Sequence, residues 1–265
     1  MKLSPSDLDQ CFQLFEEEGY FILPQFFERA DIAGLQERID QIMLGTADVD
    51  YDQIWMQLDT ASGKYEDLSW GGNGFLKATL DYRKIQGLEA DQRFLEFITS
   101  PFFVQLCERV YGPNLPITSF RTMFMNKAAG KGTWLPWHQD RWNFLDQDPL
   151  LTVWIPLDAA TLENGCVQII RGSHRKGLIN PDHSSGFLTE TQAIEHAPAE
   201  DVVPILVKPG DLICGNADGV VSVPQEHEDD VLKKAFEKIK AESSTLKELK
   251  SGAFLREVYD KYGVL

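Results

Sequence analysis

His138 and Asp140 stand two positions apart in Trp137-His138-Gln139-Asp140-Arg141-Trp142, just after a Gly-rich turn, Ala129-Gly130-Lys131-Gly132. On an extended segment, residues i and i+2 project to the same side. An imidazole nitrogen and a carboxylate oxygen then aim at one point. That supplies two of the three donors of a 2-His-1-carboxylate facial triad, which holds Fe(II) and leaves coordination positions open. A bare His-x-Asp is more often a surface pair. The chain contains a second example, His227-Glu228-Asp229, in an acidic run at an expected helix start. The surroundings of the first motif, and a third donor, decide between the two readings.

The elements that must position this pair can be traced along the chain. Ser4-Pro5-Ser6-Asp7 predicts a helix start, with Ser as N-cap and Pro at the first helical position. Leu8, Cys11, Phe12 and Phe15 follow at helical spacing, and Gly19 closes the helix before a short strand, Tyr20-Phe21-Ile22-Leu23. Ile32, Leu35, Ile39, Ile42 and Met43 mark a second amphipathic helix. Residues 45–75 read as irregular, anchored by Trp55 and Trp70. Two short helices carry Phe94, Leu95 and Ile98, then Phe102, Phe103, Leu106 and Val110. Strands are expected over Ile117–Asn126, Leu150–Leu157, Cys166–Ile170, Val202–Val207 and Leu212–Cys214, the last two joined by Pro209-Gly210-Asp211. Beyond Pro224 the pattern is helical again. Helices followed by many short strands predict an α+β protein with a jelly-roll core.

Composition narrows the function. A net charge of −16 over 265 residues argues against nucleic acid and anionic membranes as partners, because both need a basic face. No apolar run approaches the ~18 residues of a membrane span, and Met1-Lys2-Leu3-Ser4-Pro5 lacks the apolar stretch of a signal peptide. Cys11, Cys107, Cys166 and Cys214 are scattered, which suits neither a disulfide framework nor a zinc knuckle. A cytoplasmic protein acting on a small molecule is expected, with its oligomeric state open. Glu16-Glu17-Glu18 and Glu190–Asp201 read as solvated faces.

An ordered set of stretches resembles the phytanoyl-CoA dioxygenase family of Fe(II)/2-oxoglutarate oxygenases. The set is Glu18-Gly19-Tyr20-Phe21-Ile22-Leu23, Tyr111-Gly112-Pro113-Asn114, Asn126-Lys127, Trp137-His138-Gln139-Asp140, Trp154-Ile155-Pro156-Leu157, Asp158 through Cys166, and Arg171-Gly172-Ser173-His174-Arg175. It covers roughly residues 6–211. The resemblance implies a double-stranded β-helix core with N-terminal helices, Fe(II) as metal and 2-oxoglutarate as co-substrate. It implies that His138 and Asp140 are the first two iron ligands and the catalytic centre. It places Lys84, Met123 and Trp154 around 2-oxoglutarate. From the residues alone, Lys84 also reads as a surface charge and Met123 and Trp154 as core. His174, in its Gly-Ser-His turn, reads as structural at a strand end.

The likeness stops after Gly210-Asp211. Where the family has its second ligand His and an Arg for the distal carboxylate, this chain has Val221 and Leu232. His227 is the nearest candidate for a third metal ligand. Val207 through Pro224, together with Leu255 through Gly263, instead resembles the tail of the 4-hydroxy-4-methyl-2-oxoglutarate aldolase group, which includes the regulator of ribonuclease activity A. Two segments are therefore expected: 1–206, an incomplete dioxygenase-like domain, and 207–265, a strand-plus-helices tail in place of the final strands. Three functions stay open: an oxygenase hydroxylating a small organic substrate, a non-catalytic binding relic of the same fold, and an aldolase or lyase of the tail family.

Overall fold

The computed structural model describes residues 5–130, 132–145 and 149–215. The expected third-ligand candidate His227, the replacements Val221 and Leu232, and the tail from residue 216 onward lie outside the described residues.

Helix α1 (Pro5–Glu18) ends at Gly19, whose φ of 89° breaks the helical path and launches β1 (Tyr20–Leu23). Helix α2 (Arg29–Leu44) buries Ile32, Leu35, Ile39, Ile42 and Met43 on one face, the spacing read from the sequence. A sheet of order β3-β2-β4-β5 follows, built from β2 (Trp55–Leu58), β3 (Gly72–Asn73), β4 (Tyr82–Gln86) and β5 (Met123–Met125). Between β4 and β5 run α3 (Gln92–Ile98) and α4 (Pro101–Tyr111). One face of this sheet, with Met56, Ile85 and Phe124, packs on Leu35, Ile39, Ile42 and Met43 of α2 and Phe94 of α3. Pairing of Lys84 with Gln57 and Met125, and of Gln86 with Trp55 and Met123, puts those side chains on the other face.

A second sheet has the order β1-β9-β6, with β6 (Thr152–Trp154) and β9 (Leu212–Gly215) antiparallel and β9 in the middle. Its period-two alternation is complete. Phe21, Leu23, Val153, Leu212 and Cys214 pack under α1 and α4 with Phe12, Phe103 and Leu106. Tyr20, Ile22, Trp154 and Ile213 face Ile169, Ile205 and Val207. The last three residues belong to, or follow, the paired strands β7 (Gln168–Ile170) and β8 (Val202–Pro204). Among the described residues, each sheet packs helices against one face.

Several expectations need correction. Residues 45–75 are not simply irregular, since β2 and β3 lie there, and Trp70 anchors nothing, being 87% exposed. The strands expected over Ile117–Asn126 and Leu150–Leu157 shrink to three residues each, because only those residues find a partner strand. Glu190–Asp201, read as a solvated face, has no buried residue and carries a short helix, α5 (Glu190–His196), started by a Thr189–Gln192 capping box. Ser173 and His174 sit in a 3-10 turn after β7, where the His174 ring bonds Glu16 O at 3.0 Å.

The Pro209-Gly210-Asp211 turn ties β9 back to the start of the chain. The buried Asp211 carboxylate accepts from Gln25 N and Lys208 N, both at 2.7 Å, and Phe27 N donates to Gly210 O at 2.9 Å. Asp211→Ala removes both acceptors. We expect a loss of about 1–3 kcal/mol, read as a lower urea midpoint with unchanged m-value.

Candidate metal and co-substrate site

The His-x-Asp motif lies on extended chain held against residues 186–188. His138 forms an isolated antiparallel bridge with Phe187, Gln139 N donates to Gly186 O at 3.1 Å, and Leu188 N donates to Trp137 O at 2.8 Å. Between the two candidate ligands, Gln139 is only 3% exposed. Its side-chain amide donates to Gly177 O at 2.8 Å and its side-chain oxygen accepts from Ile179 N at 2.7 Å. With Gln139 directed into the protein, His138 and Asp140 share the opposite side. Their Nε2 and Oδ1 atoms are 3.6 Å apart.

The donor chemistry fits a metal. His138 Nδ1 lies 2.9 Å from Pro136 O. A carbonyl only accepts, so Nδ1 carries a hydrogen, and Nε2 is the nitrogen directed toward Asp140. Two donors bonded to one metal at ~2.0–2.2 Å and at right angles lie about 3 Å apart, so 3.6 Å leaves an ion room between them. The His138 ring also stacks against Phe187 at 4.9 Å, which fixes its plane. Among the described residues, no third His, Cys, Asp or Glu completes a metal cluster. His183 is turned to local work, accepting at Nδ1 from Ser185 N and Phe187 N.

Lys84 comes from the face of the four-stranded sheet opposite α2. Burial, then the neighbouring Arg121 and Arg83 charges, lower its pKa from 10.5 to about 8, and Asp140 acts in the opposite direction. The same carboxylate raises the pKa of Arg121, against a larger lowering by burial. Lys84 and Arg121 therefore both lie within electrostatic range of Asp140, and Lys84 lies 6.0 Å over the Trp55 ring. Met123 shares that face of the sheet and is 37% exposed. Trp154 packs among Ile169, Val207 and Ile213 between the second sheet and the β7–β8 pair. The structure thus brings His138, Asp140 and Lys84 together, sets Met123 on the Lys84 face and gives Trp154 a packing role. Arg121 and Arg83 escaped the sequence reading. For Arg121 a signal existed: it lies two residues before Met123, the spacing that aligns side chains on a strand.

A family model described as Phytanoyl-CoA dioxygenase (PhyH) matches residues 15–216. The chain belongs to the phytanoyl-CoA dioxygenase family. Its relatives include Phytanoyl-CoA dioxygenase domain-containing protein 1 of Mus musculus, 29% identical over 260 residues and covering 86% of each chain. Phytanoyl-CoA dioxygenase of Arabidopsis thaliana is 28% identical over 237 residues, 82% of this chain and 81% of its own. Among solved structures, EctD from S. alaskensis, crystallised with 2-oxoglutarate and 5-hydroxyectoine, superposes with a TM-score of 0.59 at 19% identity, over 82% of this chain and 69% of its own. The epimerase SnoN, crystallised with Fe3+, alpha ketoglutarate and nogalamycin RO, gives 0.57 at 17% over 82% and 77%. These structures share the fold of this family member. Membership indicates an oxygenase-type function using iron and 2-oxoglutarate. No helix among the described residues is long and apolar enough to cross a membrane.

Gly186 marks how closely the motif is held. Its φ is +68°, and a Cβ there would lie 2.2 Å from Gln139 O. Gly186→Ala should therefore cost about 1–3 kcal/mol and push Gln139 off its seat. The accompanying shift of His138 and Asp140 should weaken Mn(II) binding at least tenfold, measured by calorimetric titration of the folded variant.

Proposed function

We propose that this chain is an Fe(II)/2-oxoglutarate-dependent dioxygenase that hydroxylates a small organic substrate. The reading rests on the His138 Nε2–Asp140 Oδ1 pair, with Nδ1 engaged by Pro136 O and Lys84 within the electrostatic reach of the same carboxylate. When bound, the metal supplies the centre at which 2-oxoglutarate and oxygen yield succinate and carbon dioxide while one oxygen enters a substrate C–H bond. His138 offers a neutral imidazole lone pair and Asp140 a charged oxygen. Lys84 offers a desolvated ammonium to a co-substrate carboxylate. Met123 and Trp154 wall the co-substrate. His227 or a water completes the coordination.

In this proposal the dioxygenase-like domain spans residues 1–206. Residues 207–265 are an aldolase-like tail that replaces the last strands of the jelly roll. A second reading, a non-catalytic binding protein of the same fold, draws on one observation: the described residues hold only two metal donors of the three. Succinate release separates the two. Wild-type chain with Fe(II), 2-oxoglutarate and oxygen should form succinate, and His138→Ala should form it more than about 100-fold slower with weakened Mn(II) affinity. Equal rates for the two proteins would leave the binding reading.

Lys84 sets a pH dependence whose sign follows from its lowered pKa. Below pH of about 8 the ammonium is charged and attracts a carboxylate; above it the amine is neutral. The Kd for 2-oxoglutarate should therefore rise as pH passes upward through about 8, approaching tenfold per unit. Lys84→Arg, which stays charged, should flatten that profile in the same calorimetric titration.

A further inference from the structure

The Arg121 guanidinium lies 4.5 Å over the Trp142 ring and 5.3 Å over the Phe120 ring, and those two rings contact each other at 4.8 Å. Phe144 extends the aromatic surface, 6.0 Å from Phe120 and 69% exposed. Stacking occupies a face of the guanidinium and leaves its N–H edges available. Among the described residues, no oxygen accepts a hydrogen bond from those edges, and Asp140 is the carboxylate whose field Arg121 feels.

The local charge is left unbalanced. Arg83 donates to Gln57 Oε1 at 3.1 Å and has Asp59 as its nearby carboxylate. With a divalent ion at His138 and Asp140, the ion, Lys84 and Arg121 bring four positive charges, while Asp140 and a bound dicarboxylate bring three negative ones. One cation remains, on an aromatic shelf two to four residues from β5 and from Asp140. A partly desolvated, uncompensated guanidinium is costly unless an anion meets it.

We infer that Arg121 is the specificity-determining residue for an acidic substrate, its guanidinium holding a carboxylate or phosphonate group while Phe120, Trp142 and Phe144 carry the apolar body of the molecule. This rests on the oxygenase reading above and extends it to a substrate class. A carboxylate and a phosphonate both match the forked donors, so the two are separate arms of one test.

The test uses the full chain loaded with Mn(II) and 2-oxoglutarate, and calorimetry with phenylacetate, phenylphosphonate, octanoate, and the amides phenylacetamide and octanamide. Wild type should bind at least one acid at least tenfold more tightly than the amide of the same skeleton, or, for the phosphonate, than phenylacetamide. Arg121→Gln should remove that preference and leave the affinities for the two amides within about twofold. Arg121→Lys, which keeps the charge and loses the fork, should retain part of it and carries the test if the Gln variant melts early. No acid preference in wild type, or a preference that survives in Arg121→Gln, overturns the inference. So does a matching loss of 2-oxoglutarate affinity, which would make Arg121 a co-substrate residue. If wild type binds neither Mn(II) nor 2-oxoglutarate, the oxygenase reading fails by itself, and the acid-versus-amide comparison on the metal-free chain still judges Arg121.

Discussion

The seat of Gln139 is the constraint on which the site depends. Its side chain makes two hydrogen bonds to the 177–179 segment, and its backbone nitrogen a third to Gly186. A strand permits its residues only two directions, so a glutamine pinned inward decides where both neighbours go. The imidazole and the carboxylate are therefore aligned by a residue turned away from the side they share. The absence of a Cβ at Gly186 lets the two backbones approach closely enough for this to work.

The charge pattern around that pair runs against the rest of the molecule. A chain with net charge −16 gathers Lys84 and Arg121 in the field of a single carboxylate, Asp140. Burial first, and then the like charges nearby, disfavour the Lys84 ammonium, and its depressed pKa reflects both. Anionic ligands relieve that penalty, so the same feature that weakens the fold locally strengthens binding. The surrounding negative surface would disfavour the approach of acids from afar, which makes the local cluster the source of any selectivity among them.

Much of this was legible in the residues. The helical spacing of Ile32, Leu35, Ile39, Ile42 and Met43 and the Gly19 stop each follow from local chemistry, and the structure reproduces them. The His-x-Asp spacing implied a shared direction, which the 3.6 Å separation reflects. Features set by distant partners were not legible. β4 escaped because Tyr82-Arg83-Lys84-Ile85-Gln86 mixes charges with apolar residues, and only its neighbours β2 and β5 make it a strand. Trp70 looked like an anchor because tryptophans usually are buried, yet nothing packs over it. Arg121 went unnoticed because its meaning depends on Trp142 and Asp140, which reach it only in the folded chain.

The β1–β9 pairing has a consequence for how such a chain is made. Tyr20 meets Gly215 and Leu23 meets Leu212, so the second sheet cannot close until nearly the whole described length exists. During synthesis the Tyr20-Phe21-Ile22-Leu23 segment must wait as a bare, apolar strand, the kind that recruits unwanted neighbours. The run Glu16-Glu17-Glu18 directly before it places like charges beside that sticky segment. A triplet that looks like ordinary surface in the finished protein would then act as a guard on the ribosome.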